Sequence, residues 1–259
     1  SSEFVTSASA PARVSSLPMN TPYALIFDVD GTLADTERDG HRVAFNLAFA
    51  EHGLCWHWDE ALYGELLAVT GGKERIRHFA ARHPPDVAAV ADFDALVATL
   101  HATKTAHYVR LVDSGQLPLR PGVGRLITEA RTAGVRLAIA TTTTPENVAA
   151  LLKSALGPEA SSWFEVIGAG DIVPAKKPAP DIYHWVRARL GLPPGACLAL
   201  EDSENGLAAS LGAGIPTLIT ENEYTHGQNF AGALAVLPDL DAVSLADIRK
   251  YINKDLSQR

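Results

Sequence analysis

The chain has 259 residues, 47% of them hydrophobic and 20% charged, and its formal net charge is -8. This composition excludes a disordered or fibrous protein and indicates one large globular domain, or a core with a smaller lobe. The acidic balance, with no run of Lys or Arg, argues against nucleic acid as a partner, because backbone binding needs a dense cationic face. No apolar stretch approaches the roughly 18 to 20 residues that span a bilayer, so no membrane partner is expected.

Residues 1–18 are rich in Ser, Ala and Pro, lack a helical or strand period, and precede Met19, the one methionine of the chain. We interpret Met19 as the natural start and the prefix as the remnant of an expression tag, with a plastid transit remnant as the alternative. The expected location is therefore the bacterial cytoplasm or the plastid stroma. We also expect a monomer.

The two cysteines, Cys55 and Cys197, lie far apart in the sequence. Cys197 opens an apolar run typical of a buried strand. Because a chain of this size needs no disulfide framework, we predict that both are buried thiols.

Short apolar runs of strand length alternate with helical patterns that end at or near a glycine. Strands that are apolar throughout and alternate with helices are typical of a parallel sheet covered on both faces. The sequence therefore predicts a doubly wound, Rossmann-like α/β core. Its predicted strands are Ala24–Phe27, Val135–Ala140, Phe164–Ile167, Cys197–Leu200 and Pro216–Ile219, and its predicted helices are Val123–Ala133, Pro145–Leu156, Pro180–Leu190 and Ser203–Leu211.

More than a hundred residues separate the first two predicted strands, far more than one crossover helix needs. Apolar residues recur there at three- and four-residue intervals, which predicts a helical cap at residues 37–113 inserted into a core of residues 19–36 and 114–259. Two linkers, Leu33–Glu37 and Asp113–Gly122, predict a hinge. The predicted cap helices are His41–Glu51, Asp59–Ala68, Lys73–Arg82 and Pro85–Leu111.

Polar residues follow the predicted strands at their carboxyl ends, where open parallel sheets bind ligands. A single acid at such a position is typical of a turn or a helix cap. Four polar strand ends together indicate a site instead. The residues are Asp28 and Asp30 after the first strand, Thr141 to Thr144 after the second, Asp171 and Lys177 after the third, and Glu201 and Asp202 after the fourth.

The four acids Asp28, Asp30, Glu201 and Asp202 would lie close together if the first and fourth strands are neighbours. Two carboxylates about 4 Å apart repel by roughly 4 kcal/mol at an effective dielectric of about 20, so the cluster needs a cation or a raised pKa. Oxygen ligands favour a hard ion, which predicts Mg²⁺ and leaves Mn²⁺ open. The nine histidines show no zinc-type spacing.

Four segments in order resemble the motifs of the haloacid dehalogenase superfamily: DVDGT from Asp28, Thr141, Lys177-Pro178 in KKPAPDIY, and Glu201-Asp202-Ser203. The resemblance spans almost the whole chain and implies a nucleophile at Asp28, which forms an aspartyl phosphate, and an acid and base at Asp30. It implies that Thr141 and Lys177 hold the phosphoryl oxygens. Mg²⁺ would be bound by Asp28, the Asp30 carbonyl and Asp202, with Glu201 as an additional ligand or a neighbour of one.

Longer segments narrow the resemblance. Asp30 favours phosphoester chemistry, and FDVDGTLADTE and EDSENGLAA resemble the group of β-phosphoglucomutase and small sugar-phosphate phosphatases. DTERDGHRVAFN, LYGELLAVTGGKERI, AIATTTTPENV and TENEYTHGQNF resemble CbbY-type phosphatases, a group linked to hydrolysis of xylulose 1,5-bisphosphate. The expected function is a magnesium-dependent phosphatase acting on a small sugar bisphosphate. A sugar-phosphate mutase and a non-catalytic sugar-phosphate sensor remain as alternatives.

The segment Gly71-Gly72-Lys73-Glu74-Arg75 is the predicted site of a second phosphate, since two glycines that open a helix expose backbone N–H groups to an anion. Lys73 and Arg75 add cations, and either one could make the contact.

Residues beside the motifs supply further candidates. Glu37 and His41 could reach substrate hydroxyls, and Arg42 could contact phosphate or remain a solvated helix residue. Thr142 and Thr143 could donate to substrate oxygens or only form a turn. Trp56-His57-Trp58 is interpreted as cap packing, and the tail from Glu221 as the completion of the core edge and a cap contact.

Overall fold

The computed structural model describes residues 22–84 and 92–258 of the chain. The strands of its sheet are β1 (Ala24–Phe27), β2 (Arg136–Ala140), β3 (Val166–Gly168), β4 (Cys197–Glu201), β5 (Thr217–Thr220) and β6 (Ala235–Leu237). They form one parallel sheet in the order β3-β2-β1-β4-β5-β6. The first strand therefore lies between the second and the fourth, as the acidic cluster requires.

Helices cover both faces of this sheet, because alternate residues of a strand point to opposite sides. Phe27 belongs to the same buried cluster as Leu126, whereas its neighbour Ile26 belongs to the cluster that contains Tyr183. This confirms the doubly wound α/β core. The helices are α1 (Arg42–Glu51), α2 (Glu60–Leu66), α3 (Gly72–Ala80), α4 (Phe93–Asp113), α5 (Val123–Thr132), α6 (Pro145–Leu156), α7 (Asp181–Leu190), α8 (Glu204–Gly212) and α9 (Leu245–Gln258).

The helices α1 to α4 make up the helical cap, which has its own aromatic core. The Trp58 ring is fully buried, with its centroid 4.8 Å from those of Phe45 and Phe49 and 5.4 Å from that of Phe79. Trp58 therefore packs inside the cap, as predicted. The domain boundaries at residues 36 and 113 stay a prediction.

Removal of the Trp58 ring should destabilise the cap strongly. We expect Trp58→Ala to lower the free energy of unfolding by about 3–5 kcal/mol, because the neighbouring rings cannot fill the cavity left behind. Leu47→Ala is the control, since Leu47 lies on α1 with 42% of its surface exposed and should change stability by less than about 0.5 kcal/mol. Urea unfolding followed by circular dichroism measures both, and equal small losses would contradict the packing role.

Several details differ from the sequence predictions. Cys197 is buried, but the prediction for Cys55 was wrong: its side chain is exposed, because the flanking Leu54 and Trp58 fill the cap core instead. The cap helix predicted from residue 85 starts at Phe93, and residues 85–91 lie outside the described part, as does the predicted prefix. The long terminal helix α9 was not predicted.

The tail from Glu221 completes the edge of the core and contacts the cap, as predicted. The strand β6 pairs with β5 at the edge of the sheet, and Tyr224 packs its ring 6.1 Å from that of Tyr63 in the cap. Among residues 22–84 and 92–258, no helix combines the length and apolar character needed to cross a membrane.

Candidate active site

A cavity of about 210 Å³ lies between the carboxyl ends of the central strands and the cap. This is the crevice where a doubly wound sheet reverses its strand order and where such sheets bind ligands. Most of the site residues predicted from the sequence line it together. They are Asp28, Asp30, Glu37, Arg75, Thr141, Thr142, Lys177, Glu201 and Asp202.

Three carboxylates form a buried cluster at the floor of this cavity. Asp28, Glu201 and Asp202 each offer an oxygen, and these atoms lie within 4.8 Å of one another. Burial raises the pKa of Asp28 to about 7, the charge of Glu201 adds to the rise, and Lys177 acts against it. Burial and the neighbouring Asp28 also raise the pKa of Asp202 well above its usual range. The cluster carries more negative charge than its surroundings neutralise.

Lys177 is the cation of this cluster. Its Nζ donates to Asp28 Oδ1 and to the Ala140 carbonyl, each at 2.9 Å, and to Glu201 Oε1. Burial alone would lower the pKa of Lys177, but the charges of Asp28 and Glu201 outweigh it and raise that pKa. Glu201 Oε1 also accepts from the Tyr183 hydroxyl. Glu201 therefore lies in the cluster, but its Oε1 is already hydrogen-bonded to Lys177 and Tyr183.

Asp30 is hydrogen-bonded to residues outside the carboxylate cluster, which lie at the start of the cap. The Thr36 hydroxyl donates to Asp30 Oδ1 at 2.5 Å, and His41 Nε2 lies 2.7 Å from the same oxygen. Burial would raise the pKa of Asp30, but the charge and the hydrogen bond of His41 outweigh it and lower that pKa to about 2. Both described side-chain contacts engage Oδ1, and Asp30 lines the main cavity.

His41 is itself held by Lys104, a buried lysine of α4. Lys104 Nζ lies 2.7 Å from His41 Nδ1, and the His41 ring stacks on Tyr108 at a centroid distance of 4.0 Å. Burial lowers the pKa of Lys104 to about 8. Lys104, His41 and Asp30 thus form a continuous chain of contacts. Sequence reasoning placed His41 on a substrate hydroxyl, whereas its described contacts run to Asp30 and Lys104.

The two cations proposed for a second phosphate differ in their surroundings. Arg75 is 7% exposed and lines the main cavity, with its guanidinium held by the Leu66 and Val69 carbonyls and the Tyr63 hydroxyl. Lys73 lies outside this cavity, and its Nζ pairs with Asp171 at 2.8 Å. The geometry therefore favours Arg75 over Lys73 as the contact for the second phosphate.

A smaller chamber of about 40 Å³ adjoins the main cavity, and residues at the N-termini of α3 and α6 line it. Gly71 has φ +94°, a conformation that favours glycine, and a side chain on Gly72 would meet His101 at 2.8 Å. Thr143 also lines the chamber, and its hydroxyl accepts from Asn147. Two helix N-termini and the cations Lys104 and Arg75 suit an anion.

The remaining candidates have clear contacts. Glu37 lines the main cavity, and its Oε2 accepts from the Tyr63 hydroxyl at 2.6 Å. Arg42 donates to the Arg38 and Trp58 carbonyls, so it connects cap segments and takes no part in the cavity lining described here.

Sequence reasoning missed several residues of the site. Lys104 lies in the row of buried residues at 97, 100, 104, 108 and 112 on α4. A lysine among apolar residues at this helical spacing could have indicated a buried functional cation. Asn222, whose Nδ2 donates to Asp202 Oδ2 at 2.8 Å, follows the fifth strand and could have been found with the strand-end rule. No sequence pattern around Tyr183 or His101 indicated that these residues belong to the site.

Comparison with known proteins agrees with this geometry. Residues 23–214 match the family model of the haloacid dehalogenase-like hydrolases. Protein CbbY of Cupriavidus necator is 54% identical over 217 residues, which cover 84% of this chain and 85% of that protein.

Solved structures extend the likeness to the fold. CbbY of Rhodobacter sphaeroides in complex with phosphate is 46% identical with a TM-score of 0.82, over 88% of this chain and 99% of that one. A mutant of the same CbbY in complex with xylulose-(1,5)bisphosphate is 45% identical with the same TM-score and coverage. The chain therefore belongs to the haloacid dehalogenase-like hydrolase family and is a phosphatase similar to the CbbY proteins.

Proposed function

We propose that the chain is a magnesium-dependent phosphatase that hydrolyses a small sugar bisphosphate, with xylulose 1,5-bisphosphate as the leading candidate, through an aspartyl phosphate on Asp28. The observation that carries the proposal is the buried Asp28 carboxylate, which lies between Lys177 and Asp202 in a cavity roofed by the cap. The complex of the Rhodobacter sphaeroides relative with xylulose-(1,5)bisphosphate supports this substrate.

The acidic cluster fits a hard divalent cation. Asp28, Glu201 and Asp202 are buried within 4.8 Å of one another with one lysine between two of them, an arrangement that is unfavourable without further positive charge. Asp28, Asp202 and the Asp30 carbonyl would hold Mg²⁺, and Glu201 would add to its shell or orient Lys177. The bound ion would neutralise charge on the phosphate oxygens.

The side chains divide the chemistry between them. A carboxylate oxygen of Asp28 forms a bond to phosphorus, while the bond from phosphorus to the sugar oxygen breaks. Asp30 gives that oxygen a proton, and the bound anionic substrate favours the protonated form of Asp30 by raising its pKa above that of the free site. Lys177 and Thr141 hold the phosphoryl oxygens during the transfer. In the second step Asp30 takes a proton from water, the water oxygen attacks phosphorus, and Asp28 is released with inorganic phosphate.

Residues of the cap and of the loop after β2 would select the substrate. Arg75 and the N-termini of α3 and α6 would bind the phosphate that is not transferred, and Glu37 would accept a hydrogen bond from a sugar hydroxyl. Thr142 and Thr143 would donate to oxygens of the phosphate that is not transferred. Closure of the cap would exclude bulk water from Asp28.

A phosphate-release screen tests the proposal. Purified protein with Mg²⁺ is given pentose and hexose mono- and bisphosphates, and we expect stoichiometric release of inorganic phosphate, fastest from a bisphosphate. Chelation of the metal with EDTA should abolish turnover, and added Mg²⁺ should restore it. Movement of phosphate within one sugar without release would identify a mutase, and binding without turnover of any substrate would identify a sensor.

A further inference from the structure

Arg120 is a buried cation on the second linker, at a position that the proposed chemistry does not use. Its side chain is 7% exposed, and its carboxylate partner among the described residues, Asp35, lies at the surface, 3.3 Å from Nε. A buried guanidinium is costly unless its donors are satisfied. Arg120 therefore has to be held by its surroundings.

Backbone carbonyls from three segments satisfy it. Nη1 donates to the Gly31 carbonyl at 2.5 Å and to the Thr220 carbonyl at 3.0 Å, and Nη2 donates to the carbonyls of Glu221 and Pro238 at 2.7 and 2.8 Å. Only a planar, forked donor can reach so many acceptors at once, and lysine cannot replace it. Arg120 thus fixes the positions of loops that follow β1, β5 and β6.

Two of these loops border the acidic cluster. Gly31 lies so close to Asp202 that a Cβ on it would be 2.2 Å from Asp202 Oδ2. Asn222, next to Glu221, donates to that oxygen and to the Gly31 carbonyl.

The Gly31 carbonyl and the Asp30 carbonyl belong to successive peptide groups. The N–H of Gly31 is held by the Ala34 carbonyl at 2.8 Å, and the C=O of Gly31 is held by Arg120. Both sides of Gly31 are therefore fixed, and with them the direction of the Asp30 carbonyl.

We propose that Arg120 is a positioning residue of the metal site, which sets the spacing between the Asp28–Asp30 loop and Asp202 through the Gly31 and Glu221 carbonyls. The inference rests on the proposed function, because it assumes that this cluster binds Mg²⁺. Arg120 also donates its backbone N–H to the Leu33 carbonyl of the first linker at 2.8 Å, so both linkers meet at the same point.

The test measures Mg²⁺ binding directly. Mg²⁺ is titrated calorimetrically into metal-free protein, and we expect Arg120→Lys to weaken the Kd at least about 10-fold, as is usual when a group that orients metal ligands is lost. The Mg²⁺-dependent rise in melting temperature should shrink in parallel. Asp35→Asn removes the exposed ion pair but leaves the carbonyl contacts, so its Kd should stay within twofold of the wild type.

Arg125→Lys is the matched control. Arg125 also donates to three carbonyls, those of Leu240, Asp241 and Val243, but these residues do not line the cavity of the acidic cluster. Its replacement should cost stability and leave the Mg²⁺ Kd unchanged. A wild-type Kd in Arg120→Lys, or an equal loss of affinity in Arg125→Lys, would overturn the positioning role.

A measurement on the wild type covers the case in which Arg120 variants do not fold. Hydrogen exchange followed by mass spectrometry should show that Mg²⁺ protects residues 117–122 and 218–224, and absence of that protection would overturn the inference. If the wild type binds no Mg²⁺, the proposed function fails together with the inference. If it binds Mg²⁺ and only the Arg120 result is negative, the proposed function stands.

Discussion

Asp28→Asn should reduce turnover of the sugar phosphate by at least about 10⁴-fold, the scale on which loss of a nucleophile acts in other covalent enzymes. The amide has almost the shape of the carboxylate, so its packing against Lys177 is retained, but its oxygen is a poor nucleophile. The change also removes one negative charge from the cluster. Steady-state phosphate release measures the loss.

Two further observations separate a missing nucleophile from a damaged fold. Asp39→Asn is the control, because Asp39 is an exposed acid that pairs with Arg38, and it should keep wild-type turnover. Asp28→Asn should still bind the sugar bisphosphate, and it should form no acid-stable or hydroxylamine-sensitive phosphoprotein. Retention of wild-type turnover would show that Asp28 is not the nucleophile.

The architecture of the core followed from local patterns. Each predicted strand overlaps a strand of the structure within two residues at either end, since a fully buried parallel strand must be apolar throughout. The short strand β6 escaped prediction because it has only three residues at the sheet edge, and its middle residue, Val236, is 44% exposed. The helix α9 was missed because most of its residues are polar and only a narrow face, with Leu245 and Ile248, is buried.

The site was predictable where chemistry follows a strand. Asp28, Thr141 and Glu201 each come directly after an apolar run, and Asp202 follows Glu201, so topology alone brings them together. Lys104 could not be placed in this way, because its contact with His41 depends on how α4 packs against α1. Likewise, Arg120 reads as an ordinary charged linker residue until the three loops around it are folded. Contacts made across packed elements leave little trace in one sequence.

Asp30→Asn should lower turnover of the sugar phosphate by about 10²- to 10⁴-fold, the usual worth of a positioned acid and base. Thr36 can still donate to the amide oxygen, so we expect the loop to keep its fold. Steady-state kinetics should show the loss in kcat, with KM little changed.

The size of this loss should depend on the leaving group, and that dependence distinguishes a catalytic from a structural role. An aryl phosphate such as p-nitrophenyl phosphate leaves without a proton, so Asp30→Asn should slow its first step far less than that of the sugar phosphate. Attack by water would still lack its base, and the aspartyl phosphate should accumulate as a burst of nitrophenol. His41→Asn should give a smaller loss, because Asp30 remains but loses its contact to Lys104. Equal losses on both substrates without a burst would mean that Asp30 only supports the loop.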